Sequence, residues 1–167
     1  GSGKSFFARQ FADMFGSPFI DTLEIEKRTS SAEAASELIG MMIGEIAKLN
    51  HTFVFEGNSD SRVRRTEFAQ WARQHGYQPL FVWVQVDKAT ALKRTLKSKS
   101  LSRDEFESVS KQFSAPHPSE KAIVISGKHT YSSQMKVVRA HLAKDARPET
   151  QRVTAPSRPQ NGRITVR

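Results

Sequence analysis

The chain opens with the pentapeptide Gly-Ser-Gly-Lys-Ser, which matches the second half of the phosphate-binding pattern G-x-x-x-x-G-K-[ST]. In such a loop the glycines let backbone N–H groups surround a triphosphate, the lysine reaches the β- and γ-phosphates, and the hydroxyl binds Mg²⁺. The pattern therefore predicts a site for ATP and Mg²⁺, with the hydroxyl of Ser5 as a metal ligand. The residues expected to contact the nucleotide are Gly1, Ser2, Gly3, Lys4, Ser5 and Phe6.

A helix is predicted directly after this loop, where a phosphate site needs one. Phe7, Phe11 and Phe15 recur every four residues, and Gly16 is a typical C-cap. A cloning linker is the alternative explanation of Gly-Ser-Gly, but the amphipathic helix that begins at the lysine argues against it. Because the first glycine of the pattern would lie upstream of the first residue, we expect the chain to be a fragment that begins inside the loop.

Composition separates a folded part from a basic tail. The 167 residues carry a net charge of +9, contain no cysteine and include five scattered histidines, which excludes disulfides and thiolate zinc sites. No apolar run has the length of a membrane span. Residues 146–167 contain five Arg, one Glu and three Pro, which predicts a disordered basic tail after one domain over residues 1–145. The composition favours a cytoplasmic protein, and the positive charge suits ATP or nucleic acid as a partner.

Short apolar runs alternate with amphipathic segments. Strands are predicted at 18–20, 52–55, 80–86 and 122–125, and helices at 30–50, 61–75, 88–97, from 102 onward and at 130–143. Ser30 with Glu33, and Ser102 with Glu105, match the capping box at a helix start. Such alternation is typical of βαβ units, so the predicted fold class is α/β, with a parallel sheet covered by helices.

Two carboxylates follow predicted strands, where ligands of a parallel sheet gather. Asp21 follows the first strand, where it would take a proton from an acceptor hydroxyl or cap the turn that begins at Thr22. Both interpretations stay open. Glu56 ends the second strand, where an acidic residue orients Mg²⁺ or its waters, unless it is an ordinary charged strand end. Asp87 follows the third strand and is more simply the N-cap of the next helix.

The segment 88–113 is rich in lysine and arginine and is predicted to be a lid. Phosphoryl transfer needs cations that stabilise charge on the γ-phosphoryl oxygens, and a mobile helical lid supplies them when it closes. Arg94 and Arg103 are the candidate residues, and a solvated charged face is the alternative.

The helix at 61–75 is predicted to turn Val63, Phe68, Trp71 and Ala72 inward. Its first turn is basic, although cations are unfavourable at a helix N-terminus. This arrangement favours an anionic substrate. The basic residues are Arg62, Arg64 and Arg65.

Three stretches of the chain resemble the small P-loop kinases grouped with AAA-type ATPase domains, among them 5′-hydroxyl polynucleotide kinases, zeta-toxin-like kinases and gluconate-kinase-like enzymes. The stretches are the opening loop with its helix, residues 53–86 and residues 113–127, and the likeness spans about residues 1–143. The resemblance implies a three-layer, P-loop NTPase-like fold in which a parallel sheet is flanked by helices. It also implies that the first strand, which is central in the sheet, is missing from this chain.

The resemblance also assigns roles to residues. Lys4 and Ser5 would hold the phosphates and Mg²⁺, Asp21 would activate the acceptor, and Arg94 would be a lid arginine. These kinases more often have Asp where Glu56 stands, and a second Arg where this lid has Lys.

The expected function is transfer of the γ-phosphoryl group of ATP to a hydroxyl acceptor, either a polynucleotide 5′ end or a small molecule. The alternative is an ATP-binding or ATP-hydrolysing AAA-type module that phosphorylates no acceptor and associates with nucleic acid through its basic tail and surface. A degenerate loop used only for interaction is a third hypothesis. The residues expected to carry transfer are Lys4, Asp21, Arg94 and Arg103.

Overall fold

A computed structural model describes residues 1–57 and 59–145, with side chains up to residue 143. The predicted tail therefore lies outside the described residues, as does Asn58. None of the helices in the described part has the length and apolar content needed to cross a membrane. In chain order the elements are α1 (Lys4–Phe15), β1 (Phe19–Asp21), α2 (Thr22–Glu26), α3 (Ala32–Lys48), β2 (Val54–Glu56), α4 (Arg62–Gln74), β3 (Val82–Gln85), α5 (Lys88–Lys97), α6 (Arg103–Gln112), a 3₁₀ turn (Pro118–Glu120), β4 (Ile123–Ser126) and α7 (Tyr131–Asp145).

In the described part of the chain, five helices begin at a side chain that accepts a hydrogen bond from the backbone N–H three residues later. These N-caps are Asp21, Ser31, Ser61, Asp87 and Ser102. Each satisfies one of the N–H groups that a helix start leaves unpaired. The capping box of Ser102 with Glu105 is confirmed. The box predicted at Ser30 is wrong, because the neighbouring Ser31 has the extended backbone of an N-cap and its hydroxyl reaches the N–H of Ala34.

The strands pair in parallel. β1 pairs with β2 so that Asp21 lies opposite Glu56, and β3 pairs with β4 so that Gln85 lies opposite Ser126. The mixed α/β class and the parallel pairing are therefore confirmed. A single continuous sheet is not observed: the described residues form two separate two-stranded sheets, because no described strand pairs with the second edge of β2 or of β3.

Helix α1 packs against both sheets. It contacts β1 and β2 directly, and its Phe7 lies in the core cluster with Val84 of β3, Ile123 of β4 and Val138 of α7. Burying apolar side chains of this size contributes about 1.5–3 kcal/mol each. The start of α1, which contains the glycine-rich loop, is thereby fixed relative to the carboxyl ends of the strands.

A cleft of about 660 Å³ lies between β2 and β3. Apolar side chains of α1, β2, α4 and β3 line it, among them Phe7, Phe11, Val54, Phe55, Phe68 and Val82. All three residues of β2 are only half-buried. A parallel strand is normally covered on both faces, so this part of the molecule leaves strand edges and apolar surface open to the cleft.

Candidate functional site

The glycine-rich loop leads directly into α1. Gly3 caps the helix with φ 95°, in the left-handed region that favours glycine, and makes no side-chain capping bond. The first turn of α1 contains no acidic residue. Among the described residues no side chain caps the first N–H groups of α1 at the positive end of the helix dipole. This is the arrangement that binds phosphate at helix N-termini.

Lys4 and Ser5 converge on one carboxylate oxygen. The hydroxyl of Ser5 donates to Glu56 Oε1 over 2.6 Å, and the Lys4 ammonium lies 2.9 Å from the same oxygen. The two partners are 51 and 52 positions away in sequence, and they meet because β2 ends beside the start of α1. The Lys4 side chain is 62 % exposed, whereas that of Glu56 is only 11 % exposed.

The second oxygen of Glu56 is buried and has no hydrogen-bond partner in the described part of the chain. A buried acceptor without a partner costs about 1–3 kcal/mol. The Ser5 hydroxyl and this carboxylate are both oxygen donors of the kind that Mg²⁺ takes, usually together with substrate phosphates and waters. The residues therefore fit the predicted cation. Within the described residues no group of three or more His, Cys, Asp or Glu side chains lies close enough to hold a metal on its own.

Close backbone packing holds the loop on two sides. A Cβ on Gly1 would meet the carbonyl oxygen of Ala91 in α5, and a Cβ on Gly127 would meet the carbonyl oxygen of Ser2. The Arg94 guanidinium donates to the Gly127 carbonyl over 2.8 Å. The loop thus lies between α5 and the turn that follows β4.

Asp21 lies at the carboxyl end of β1, opposite Glu56 in register. Its Oδ1 accepts the backbone N–H of Glu24 over 3.2 Å, so the capping interpretation is confirmed. Its Oδ2 lies 3.8 Å from the guanidinium of Arg9, and the side chain is 15 % exposed. The proton-accepting role has not been tested and stays a prediction.

The other predicted residues make no contact with Glu56 that the described part of the chain shows. Arg103 is exposed at the start of α6, close enough to Glu107 that it adds to the lowering of that carboxyl's pKa, for which the hydrogen bond from Lys88 is the largest cause. Its closure over a γ-phosphate stays a prediction. Asp87 caps α5 as predicted, and its exposed carboxylate has a lowered pKa because Lys128 and the N–H of Thr90 donate to it. Phe6 is 62 % exposed beside the loop.

Arg65 belongs to the basic first turn of α4 that the sequence links to an anionic substrate. In the structure its side chain is only 3 % exposed and pairs with Glu120 of the same chain. That pairing holds the pKa of Glu120 at about 2, chiefly through the hydrogen bond from Arg65. The inner face of α4 contains Arg65, Ala69 and Ala72, whereas Val63, predicted to turn inward, is 66 % exposed. The spacing of Arg65 from Ala69 and Ala72 was the available signal.

The chain matches no family model, and a search of curated proteins finds no match.

Proposed function

We propose that the chain is a P-loop kinase that transfers the γ-phosphoryl group of ATP to a hydroxyl acceptor. The observation that carries the proposal is the convergence of Lys4 and Ser5 on Glu56, whose second oxygen is buried without a partner. A cation, a hydroxyl and a carboxylate at an uncapped helix N-terminus suit a phosphate group with its magnesium ion.

The charges favour joint binding of the phosphate and the metal. Lys4 and Glu56 neutralise each other at 2.9 Å. A phosphate alone would draw Lys4 away and place a second negative charge next to Glu56, whereas Mg²⁺ alone would repel Lys4. The ATP·Mg²⁺ complex brings partners for both side chains together. Mg²⁺, when bound, neutralises charge on the phosphates.

The proposal includes a completed sheet. The cleft between β2 and β3 has apolar walls and two strand edges that no described strand pairs. One parallel strand between β2 and β3 would pair with both open edges and join the four strands into a single P-loop-like sheet covered by helices. In that arrangement the inserted strand would end near the glycine-rich loop.

The sheet proposal has its own test. The chain is extended ahead of Gly1 by a β-branched apolar segment, with a Gly/Ser segment of equal length as control. We expect slower amide exchange in β2 and β3 only with the apolar segment, because new hydrogen bonds form along both edges. Equal exchange with the two extensions contradicts the completed sheet.

In the transfer step, an acceptor oxygen attacks the γ-phosphorus, the bond to the bridging oxygen breaks, and ADP leaves with the electron pair. Asp21 accepts the acceptor proton on Oδ2, because Oδ1 caps α2. Lys4 and Arg94 supply positive charge at the loop, and Arg103 joins them if α5 and α6 close over it.

A second candidate function is favoured by the surroundings of Asp21. Both of its oxygens already have partners, the N–H of Glu24 and the guanidinium of Arg9. If Arg9 does not yield to an acceptor, the chain is an ATP-binding or ATP-hydrolysing module without acceptor phosphorylation, with nucleic acid as a partner for its basic surface.

ATP affinity measured by calorimetry with and without Mg²⁺ tests the site. Lys4→Ala and Glu56→Gln are compared with Lys48→Ala and Glu45→Gln, because Lys48 and Glu45 form a similar pair at 2.6 Å on α3. We expect weaker ATP·Mg²⁺ binding by about tenfold or more for the first two variants, the loss of about one charge-assisted contact, and no change for the controls. Wild-type protein that binds neither ATP nor GTP would overturn the proposal. Radiolabelled ATP with DNA, RNA and sugar panels then separates kinase from ATPase.

A further inference from the structure

One arginine joins three separate chain segments. Arg65 of α4 donates from Nε and Nη2 to the two carboxylate oxygens of Glu120, over 2.7 and 3.1 Å. Its Nη1 donates to the backbone carbonyls of Ser59, over 2.8 Å, and of Ser114, over 2.9 Å. The guanidinium group of Arg65 thus donates four hydrogen bonds, although it is almost completely buried.

The segments held by Arg65 are also connected to each other. The N–H of Ser114 donates to the Asp60 carbonyl over 2.7 Å, and Glu120 accepts the N–H of His117 over 2.7 Å. Loop 59–61 and segment 113–120 therefore form one bonded unit around Arg65. We call this unit the arginine clamp.

Each side of the arginine clamp leads to a part of the candidate site. Loop 59–61 is the continuation of Glu56 and Gly57, and Gly57 packs against Thr22 so closely that a Cβ would meet its side chain. Thr22 follows Asp21 directly. The loop thus begins two residues after Gly57, whose contact with Thr22 forms the wall beside the candidate base.

The other side of the clamp holds the segment that follows α6. We call helices α5 and α6 together the α5–α6 arm, and the segment directly after Gln112 its exit. Helix α6 ends at Gln112, and Ser114, two residues later, is held by Arg65. Helix α6 packs on α5, and α5 contacts the loop at Gly1 and carries Arg94.

We propose that Arg65 is a positioning residue that fixes the wall beside Asp21 and the exit of the α5–α6 arm in one relative position for phosphoryl transfer. The catalytic consequence of this inference rests on the proposed function. Its structural part, that one guanidinium holds both segments, is independent of that function.

The chemistry of arginine explains why this residue type is needed. The guanidinium is planar, always charged, and presents five N–H donors in a rigid fork. It donates two hydrogen bonds to a bidentate carboxylate on one side and two to backbone carbonyls on another. A lysine at this position would keep the charge opposite Glu120, but its single ammonium cannot reproduce the fork.

Three variants distinguish the loss of the clamp from a general loss of stability. Arg65→Lys keeps the ion pair and loses the fork. Glu120→Gln keeps the bonds from Arg65 to Ser59 and Ser114. The double variant Arg65→Met with Glu120→Leu removes the clamp but replaces a buried ion pair by apolar groups, a change that folded proteins often tolerate.

The first measurement is amide exchange of segments 59–61 and 113–117 in the full chain, with β4 and α7 as internal references. We expect both segments to exchange about tenfold faster or more, relative to the references, in Arg65→Lys and in the double variant, and clearly less than tenfold faster in Glu120→Gln, which keeps the bonds to Ser59 and Ser114. Faster amide exchange in only one of the two segments, or in neither, overturns the inference. If Arg65→Lys does not fold, the double variant decides by the same criterion.

The second measurement is kinetic, with an acceptor found in the panel screen. We expect kcat to fall about tenfold in Arg65→Lys and to fall less in Glu120→Gln, with the affinity for ATP·Mg²⁺ unchanged in both variants. Equal losses in the two single variants, or a parallel loss of ATP affinity, would assign Arg65 a structural role only and overturn the positioning inference. If wild type phosphorylates no acceptor, the proposed function fails, and the exchange measurement alone decides whether the clamp exists.

Discussion

Acidification should destabilise the fold through Glu120. Its pKa is held at about 2 against an ordinary value of 4.5, chiefly by the hydrogen bond from Arg65. Because the folded pKa is lowered, the stabilisation is fully present above pH 4.5 and is lost as the pH falls towards 2. At 1.36 kcal/mol per pH unit the interval corresponds to about 3 kcal/mol at most, and screening by nearby solvent lowers the expected figure to about 1–3 kcal/mol.

The assay is urea unfolding at pH values from 6 to 2, for wild type and for the Arg65→Met, Glu120→Leu double variant. The unfolding free energy of wild type minus that of the double variant should fall by about 1–3 kcal/mol as the pH falls, because only wild type has this carboxylate. Asp87 also has a lowered pKa, but it is present in both proteins and cancels. A difference that stays constant across the range would refute the assignment of this stabilisation to Glu120.

Further expectations concern the loop, the candidate base and the tail. Gly127→Ala should weaken ATP·Mg²⁺ binding measured by calorimetry, because its Cβ would collide with the Ser2 carbonyl, whereas Gly44→Ala, with open space around it in α3, should raise stability by about 0.5–1 kcal/mol in urea unfolding. Asp21→Asn should abolish phosphoryl transfer and spare ATP affinity, because Asn is an equally good N-cap; retained transfer removes Asp21 from the mechanism. Deleting residues 146–167 should flatten the salt dependence of nucleic-acid binding, and an unaltered slope would exclude the tail as the contact.

Local signals in the sequence located most elements of this fold. The helix predicted at 88–97 has those bounds in the structure, since Asp87 is a strong N-cap beside a basic amphipathic segment. The short helix α2 was not predicted, because five residues are too few for a periodic pattern. At α3, two adjacent serines offered equivalent caps, and only the backbone conformation distinguishes Ser31 from Ser30.

Contacts between residues that lie far apart in the chain could not be predicted from the sequence. Arg65 and Glu120 are 55 residues apart, and nothing local in α4 shows that a carboxylate will meet this guanidinium. A cation on an inner helical position is costly unless it is paired, so its burial depended on a partner that periodicity does not reveal. With Arg65 on the inner face of α4, Val63 is turned outward.

The meeting of Lys4 and Ser5 with Glu56, by contrast, follows from topology. A loop that starts a helix and the carboxyl end of a parallel strand share one edge of such a fold, and this places Glu56 Oε1 within hydrogen-bond distance of both residues. The arrangement also imposes a thermodynamic constraint: if Mg²⁺ raises the affinity for ATP by some factor, ATP must raise the affinity for Mg²⁺ by the same factor. Glu56→Gln removes the negative charge that opposes a bare phosphate and attracts the metal, so it should reduce that factor from both sides equally. A factor that stays at its wild-type value in Glu56→Gln would mean that ATP and Mg²⁺ do not share the site built around Glu56.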